Sequence, residues 1–207
     1  MDGTILDGRL IYQLGDKLKI IDKIKGIQKN TTVGYKRTEE ITKLLKGIPR
    51  KEIIKTIETI KPIKNLQESI KRIKDKNHIV GIISDSYLPA VSFIAEKHDF
   101  DFAIANDVEV DDQDNMTGDV KMPLGWSEID CFCKISVCKR YHMERLAQYL
   151  GIPIGNTVAI GDTVSDLCMI KSAGLGIAMM PKDEEVKKHA DIVITKPDAS
   201  LILPHIL

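Results

Sequence analysis

From residue 78 to residue 195 the chain repeats one pattern: a short apolar run, a few small or polar residues, then a helical stretch. The apolar runs are residues 78–83, 102–105, 157–160, 175–178 and 191–195. Runs this short and this uniformly apolar are strands buried on both faces, which requires a parallel sheet covered by helices. The helical stretches fall at about residues 86–97, 134–150, 164–173 and 183–188, and Ser84-Asp85-Ser86 is placed to cap the first of them. One departure is a hairpin, where residues 108–110 and 116–120 flank an Asp/Asn-rich turn. A further helical turn ends the chain. The fold class is α/β, with a three-layer, Rossmann-like core.

The first third of the chain has a different character. Leu10, Leu14, Leu18, Ile21 and Ile24 recur at spacings of three and four, as do Ile53, Ile57 and Ile60, then Leu66, Ile70 and Ile73. Gly26, Gly34, Gly47-Ile48-Pro49 and Pro62 divide this into helices. Charge divides the same way. Residues 1–76 hold 19 Lys and Arg against 10 Asp and Glu, so the totals of 30 and 30 leave 11 against 20 for the remainder. Two units with different jobs follow. The basic segment has only Tyr12 and Tyr35 as aromatics, which does not make a nucleic-acid footprint; its lysines read as solvated helix faces.

Ligands of such sheets bind beyond the carboxyl ends of the strands. Four sets of polar residues stand out: Asp2-Gly3-Thr4 near the amino terminus; Ser84-Asp85-Ser86 after an apolar run; Lys139 near the start of an amphipathic helix; and Gly161-Asp162 through Asp166 after another run. Each alone has a plain explanation as a helix cap or a solvated side chain. Asp162 and Asp166 are the strongest pair, because carboxylates four apart at a helix start share one side and suit a hard divalent cation.

In this order, the four sets resemble the haloacid dehalogenase superfamily, whose motifs are Asp-x-Asp-Gly-Thr, a Ser or Thr, a Lys, and Gly-Asp-x-x-x-Asp. The likeness covers essentially the whole chain. It is strongest to the phosphoserine phosphatase branch, which inserts a helical cap after the first motif. The resemblance implies a core of residues 1–8 plus 67–207 and a cap of residues 9–66. It implies Mg²⁺-dependent hydrolysis of a small phosphomonoester through an aspartyl-phosphate. By position, Asp2 is the general acid and base, and its main-chain carbonyl a Mg²⁺ ligand. Ser84 and the Asp85 amide bind phosphoryl oxygens, and Lys139 neutralises phosphate and nucleophile. Asp162 binds Mg²⁺, and Asp166 ligates it or supports it.

Two departures matter. The nucleophilic Asp of the motif lies two residues before Asp2, one position upstream of Met1, along with the strand that carries it. A misassigned start at the motif's middle Met and a real loss with a catalytically dead chain remain the two explanations. Without that strand, its two neighbours are expected to be unpaired along their edges. Arg9 stands where the branch has a Glu for the substrate amine, and Ile41 where it has a cap Arg, with Lys36 and Arg37 as substitutes. A guanidinium repels an ammonium and suits carboxylate or phosphate, so the expected substrate is a phosphorylated metabolite other than phosphoserine, with Arg9 among its ligands. The alternative is a non-catalytic phosphate- or Mg²⁺-binding protein with a regulatory role.

The remaining features read blandly. Cys131-x-Cys133-x₄-Cys138 lacks the paired C-x₂-C spacing of a metal site, with His142 the only histidine close by, and reads as ordinary reduced thiols. Few cysteines, no opening signal sequence and no apolar run of ~18 residues favour a cytoplasmic protein without a membrane span. Trp126 either lines the substrate entrance or packs. Asn30-Thr31-Thr32 fits a glycosylation sequon that carries no meaning without secretion.

Overall fold

A computed structural model describes residues 1–124 and 129–207; Trp126 lies outside the described residues. Five helices come first: α1 (Leu10–Lys17), α2 (Ile21–Asn30), α3 (Gly34–Lys43), α4 (Lys51–Ile57) and α5 (Leu66–Lys74). Then follow β1 (Gly81–Tyr87), α6 (Leu88–His98), β2 (Phe102–Val110), β3 (Met116–Lys121) and α7 (Lys139–Tyr149). The last third holds β4 (Val158–Gly161), α8 (Leu167–Ile170), β5 (Leu175–Met179), α9 (Glu184–His189), β6 (Ile192–Ile194) and α10 (Leu203–Ile206). The α/β class expected from the alternating runs is the one observed.

Several boundaries move. Ser84-Asp85-Ser86 caps nothing: β1 continues through all three to Tyr87, and α6 opens at Leu88 with Pro89 in its first turn. A proline there lacks only an N–H that would be unpaired anyway, so it starts the helix in place of a side-chain cap. The helix expected from residue 134 begins at Lys139, and the one expected over 164–173 shrinks to four residues. Residues 102–105 and 108–110 belong to one strand, β2.

The strands form two sheets, not one. The first runs β1-β2-β3, with β1 and β2 parallel (Ile82 beside Ala103) and β2 and β3 antiparallel (Val108 beside Val120). The second runs β4-β5-β6, all parallel, with Ala159 beside Gly176 and Ile177 beside Ile192. Among the described residues no strand joins β1 to β4. A cavity of about 760 Å³ lies there, walled by Val80–Ile83 of the first sheet, 158–160 of the second, and Met143 and Leu146 of α7.

The cores follow the periodicities. Leu10 and Leu14 of α1, Ile53 and Ile57 of α4, Tyr87, Val91 and Ile94, and Val108 and Met116 form one cluster, so the leading helices share their core with the first sheet. On β5 the two-residue alternation splits the packing: Ile177 and Met179 face Leu66, Ile70 and Ile202, while Ala178 faces Met143, Met169 and Val186.

Candidate active site

At the carboxyl ends of β1 and β4, beneath α2 and α3, is a cavity of about 360 Å³. Asp2, Arg9, Asp85, Lys139, Asp162 and Asp166 all line it. Ser84 does not: it is buried just beneath, where its hydroxyl accepts the Ser86 N–H at 3.2 Å. So six of the seven residues singled out from the sequence converge on one space, although up to 164 positions separate them.

The floor is built on Asp166. One carboxylate oxygen accepts the N–H groups of Asp162 and Thr163, each at 3.0 Å, which folds residues 162–166 into a tight loop. The other takes the Lys139 ammonium at 2.5 Å, and both partners are almost wholly buried. Burial alone would raise the Asp166 pKa, but the Lys139 charge and these donors outweigh it and hold the carboxyl below its ordinary value. Lys139 is likewise held above its ordinary value: burial opposes the charged form, and Asp166 and Asp85 overcome it. Gly161 admits this arrangement, since a Cβ there would collide with the Asp166 side chain.

Asp162 sits at the other side of the floor. The Thr4 hydroxyl donates to it at 3.0 Å, Lys182 reaches it at 2.9 Å and Arg9 at 3.9 Å. Gly3, at φ +77°, lies so close that a Cβ would strike both the Asp162 carboxylate and the Lys182 ammonium. That explains the Asp-Gly-Thr order: glycine for close approach in a left-handed turn, threonine to anchor the carboxylate beyond it.

Asp2 is half-buried in the cavity wall and accepts the first N–H of α1 weakly, at 3.4 Å. Burial raises its pKa, and the nearby Asp85 adds to this, against the pull of the Met1 ammonium, the Leu10 N–H and Arg9. Two carboxylates of one cavity are thus pushed in opposite directions. One is held below its ordinary value by Lys139, the other raised above it by burial.

The roof comes from the leading helices. Gln28, Arg37, Thr38 and Ile41 line it. Arg37 and Ile41 are one helical turn apart on α3, so the guanidinium that the sequence offered as a substitute does share this face. Thr38 donates to Ser136, which accepts again from Asn106 at 2.8 Å, tying the roof to β2. Sequence reasoning missed Thr4 as an anchor and Lys182 altogether. Lys182 follows β5 as Asp162 follows β4, so the strand-end rule that found the others also reaches it.

The donor set suits a hard divalent cation. Asp2, Asp85, Asp162 and Asp166 bring oxygens to one space, and ammonium and guanidinium groups already balance the Asp162 charge.

Comparison with known proteins adds to this geometry. Residues 125–203 match the haloacid dehalogenase-like hydrolase family. A phosphoserine phosphatase of Methanocaldococcus jannaschii is 32% identical over 209 residues, 99% of this chain and 94% of that protein. One of Archaeoglobus fulgidus is 28% identical over 95% of this chain, which spans only 55% of that longer relative. A solved structure of a phospho-aspartyl intermediate analogue of phosphoserine phosphatase superposes over 100% of this chain and 96% of its own, with a TM-score of 0.85 and 31% identity. A substrate-bound phosphoserine phosphatase complex superposes equally well, at a TM-score of 0.85.

Proposed function

The chain belongs to the phosphoserine phosphatase-like branch of the haloacid dehalogenase-type hydrolases, and we propose that it serves Mg²⁺-dependent hydrolysis of a small phosphomonoester through an aspartyl-phosphate. The observation that carries this is the convergence of Asp2, Lys139, Asp162 and Asp166 on one cavity beneath a roof holding Arg37. Phosphoryl transfer needs mainly positioning and charge stabilisation, and this cavity offers anion-binding cations beside metal-binding oxygens.

The nucleophilic carboxylate belongs two residues before Asp2, at the position preceding Met1. Its attack forms a bond to phosphorus as the ester P–O bond breaks, and the leaving alkoxide takes the Asp2 proton. Water then attacks the acyl-phosphate while Asp2 recovers a proton from it, releasing phosphate. The raised Asp2 pKa suits the acid role. Lys139 holds the phosphoryl charge and the Asp85 amide receives a phosphoryl oxygen, while Ser84, buried beneath the cavity, supports that turn by accepting the Ser86 N–H. The Asp2 carbonyl and Asp162 would hold Mg²⁺, which supplies charge neutralisation at the phosphoryl oxygens, and Asp166 keeps their loop in place. Residues 9–66 form the cap over a core of 1–8 and 67–207.

Arg9 and Arg37 give the substrate its character. Both line the cavity where a substrate's far end would lie, so a phosphomonoester bearing a second anionic group, and no ammonium, fits best. The second reading is phosphate and Mg²⁺ binding without turnover, which the same pairing of cations and carboxylates in the cavity would also support.

The test compares the 207-residue polypeptide with one carrying the residues encoded upstream of Met1. Magnesium-dependent turnover of a generic phosphoester is expected only from the longer form, and only with Asp2 intact. Turnover by the short form that vanished in Asp2→Asn would overturn the mechanism. A preference for phosphoserine over phosphoglycolate would overturn the substrate assignment. A longer form that binds phosphate but turns nothing over would favour the second reading.

A further inference from the structure

Outside the cavity, the folded chain gathers all four of its cysteines. Cys131 and Cys133 lie in the segment before α7, Cys138 is the residue preceding Lys139, and Cys168 is on α8. Their four sulfurs lie within 4.8 Å of one another. All are free thiols; Cys138 and Cys168 are buried and the other two half-buried. Two disulfides would sort four sulfurs into two close pairs. Four sulfurs all within 4.8 Å of one another can instead surround a single ion. A zinc ion bonds thiolates at about 2.3 Å, which sets tetrahedral sulfur separations near ~3.8 Å, so a modest contraction of this cluster closes a full coordination shell.

The surroundings suit the charge of such a centre. Four thiolates around a divalent ion carry a net charge of roughly −2. The Arg140 guanidinium lies beside Cys131 and Cys138, and its Nε–H is buried without a hydrogen-bond partner among the described residues. The backbone N–H groups of Ile135 and Arg140 are aimed at the sulfurs of Cys133 and Cys168. Donors aimed at the sulfurs from outside are the second layer that a thiolate–metal centre needs. The spacing within 131–138 did not announce a metal site because the fourth ligand arrives from 30 positions further along.

We propose that Cys131, Cys133, Cys138 and Cys168 hold one zinc ion in a closed tetrathiolate site that joins the start of α7 to α8. Zinc suits soft thiolates in a tetrahedron with no open position, and such a site is structural. Its placement gives it a task. Cys138 adjoins Lys139, and Cys168 lies two residues after Asp166, so the ion would fasten together the two elements that bring this buried ion pair to the cavity floor. Lys139 then acts on substrate, Asp166 holds it and the loop in place, and the zinc site positions both.

The test is metal analysis of the chain purified under reducing conditions without chelator. About one zinc per chain is expected, retained in Asp162→Asn and lost in Cys168→Ser and in Cys131→Ser. Cys131 is half exposed, so its replacement leaves the fold able to answer. Cobalt added to the zinc-free chain should develop the visible absorption of a tetrahedral thiolate complex, which zinc then abolishes. A wild-type chain that holds no zinc and gives no such absorption with cobalt would overturn the proposal. So would disulfides among these cysteines in the reduced protein, or zinc that leaves with Asp162→Asn and stays in Cys168→Ser.

Discussion

The two sheets are held in different ways. The β1-β2-β3 sheet shares one continuous apolar core with the leading helices, from Leu10 and Leu14 through Ile53 and Ile57 to Val108 and Met116. The β4-β5-β6 sheet rests on two smaller clusters, one on each face of β5. Beside the cavity, apolar contacts between the halves (Ile83 of β1 on the second sheet's cluster, Ile5 and Phe100 between clusters) are joined by polar ones: Lys139 with Asp166, and Thr4 with Asp162. Apolar burial stabilises without direction, so it secures each half. Buried charge pairs add little net stability but fix geometry, so they belong where the halves must be aligned. The cavity floor is therefore the place where paired charges set the geometry.

Breaking the charged seam on one side has the largest expected effect. Lys139→Met leaves Asp166 buried without a counter-charge and should cost about 3–5 kcal/mol in urea denaturation. Adding Asp166→Leu to it should recover most of that loss. A double variant as unstable as the single would mean that the pair aligns nothing and that the sheets are joined by packing.

Next comes pH, where the two aspartates should act with opposite sign. The folded pKa of Asp166 is lowered, so its contribution is present above the unfolded value and lost as pH falls through the folded one. Asp2 is raised, so the folded state binds the extra proton and stability declines as pH climbs from the unfolded value through the folded one. Asp2→Asn should thus leave the protein more stable near neutrality while abolishing turnover in the longer form, and Asp166→Asn should remove part of the acid-side loss. Stability–pH curves of both variants check this; equal slopes would sink it.

The smallest effect sharpens the same contrast. Thr4→Val removes one neutral-to-charged hydrogen bond across the seam and should cost about 1.5–3 kcal/mol, since the buried Asp162 loses a donor but keeps Lys182. A change near zero by thermal unfolding would show that Lys182 alone anchors Asp162.

Much of the site was legible locally. Asp162 and Asp166 stand four apart after an apolar run, and the observed loop closes on that spacing, Asp166 accepting the Asp162 and Thr163 amides. Ser86 misled for an equally local reason: a serine before a helical stretch fits a cap, yet pairing with β2 keeps β1 extended to Tyr87. Lys182 carried no pattern of its own, because a lone lysine after a strand gains meaning only once β4 and β5 lie side by side. The cysteines are the sharper case. Three of them within eight positions looked like plain thiols, and Cys168 made them a cluster.

Periodicity and short-range spacing act over a few residues, so the chain alone determined the α/β class, the helical leading segment, and which strand ends carry acids, serine and lysine. Tertiary structure decided what long-range closure decides: that the strands form two sheets about a cavity, that Lys182 pairs with Asp162 in a cavity Arg37 also lines, and that four sulfurs meet. Those juxtapositions join positions tens to more than a hundred residues apart, and no local propensity encodes them; they follow from burying the apolar faces of β1–β6 and their helices together.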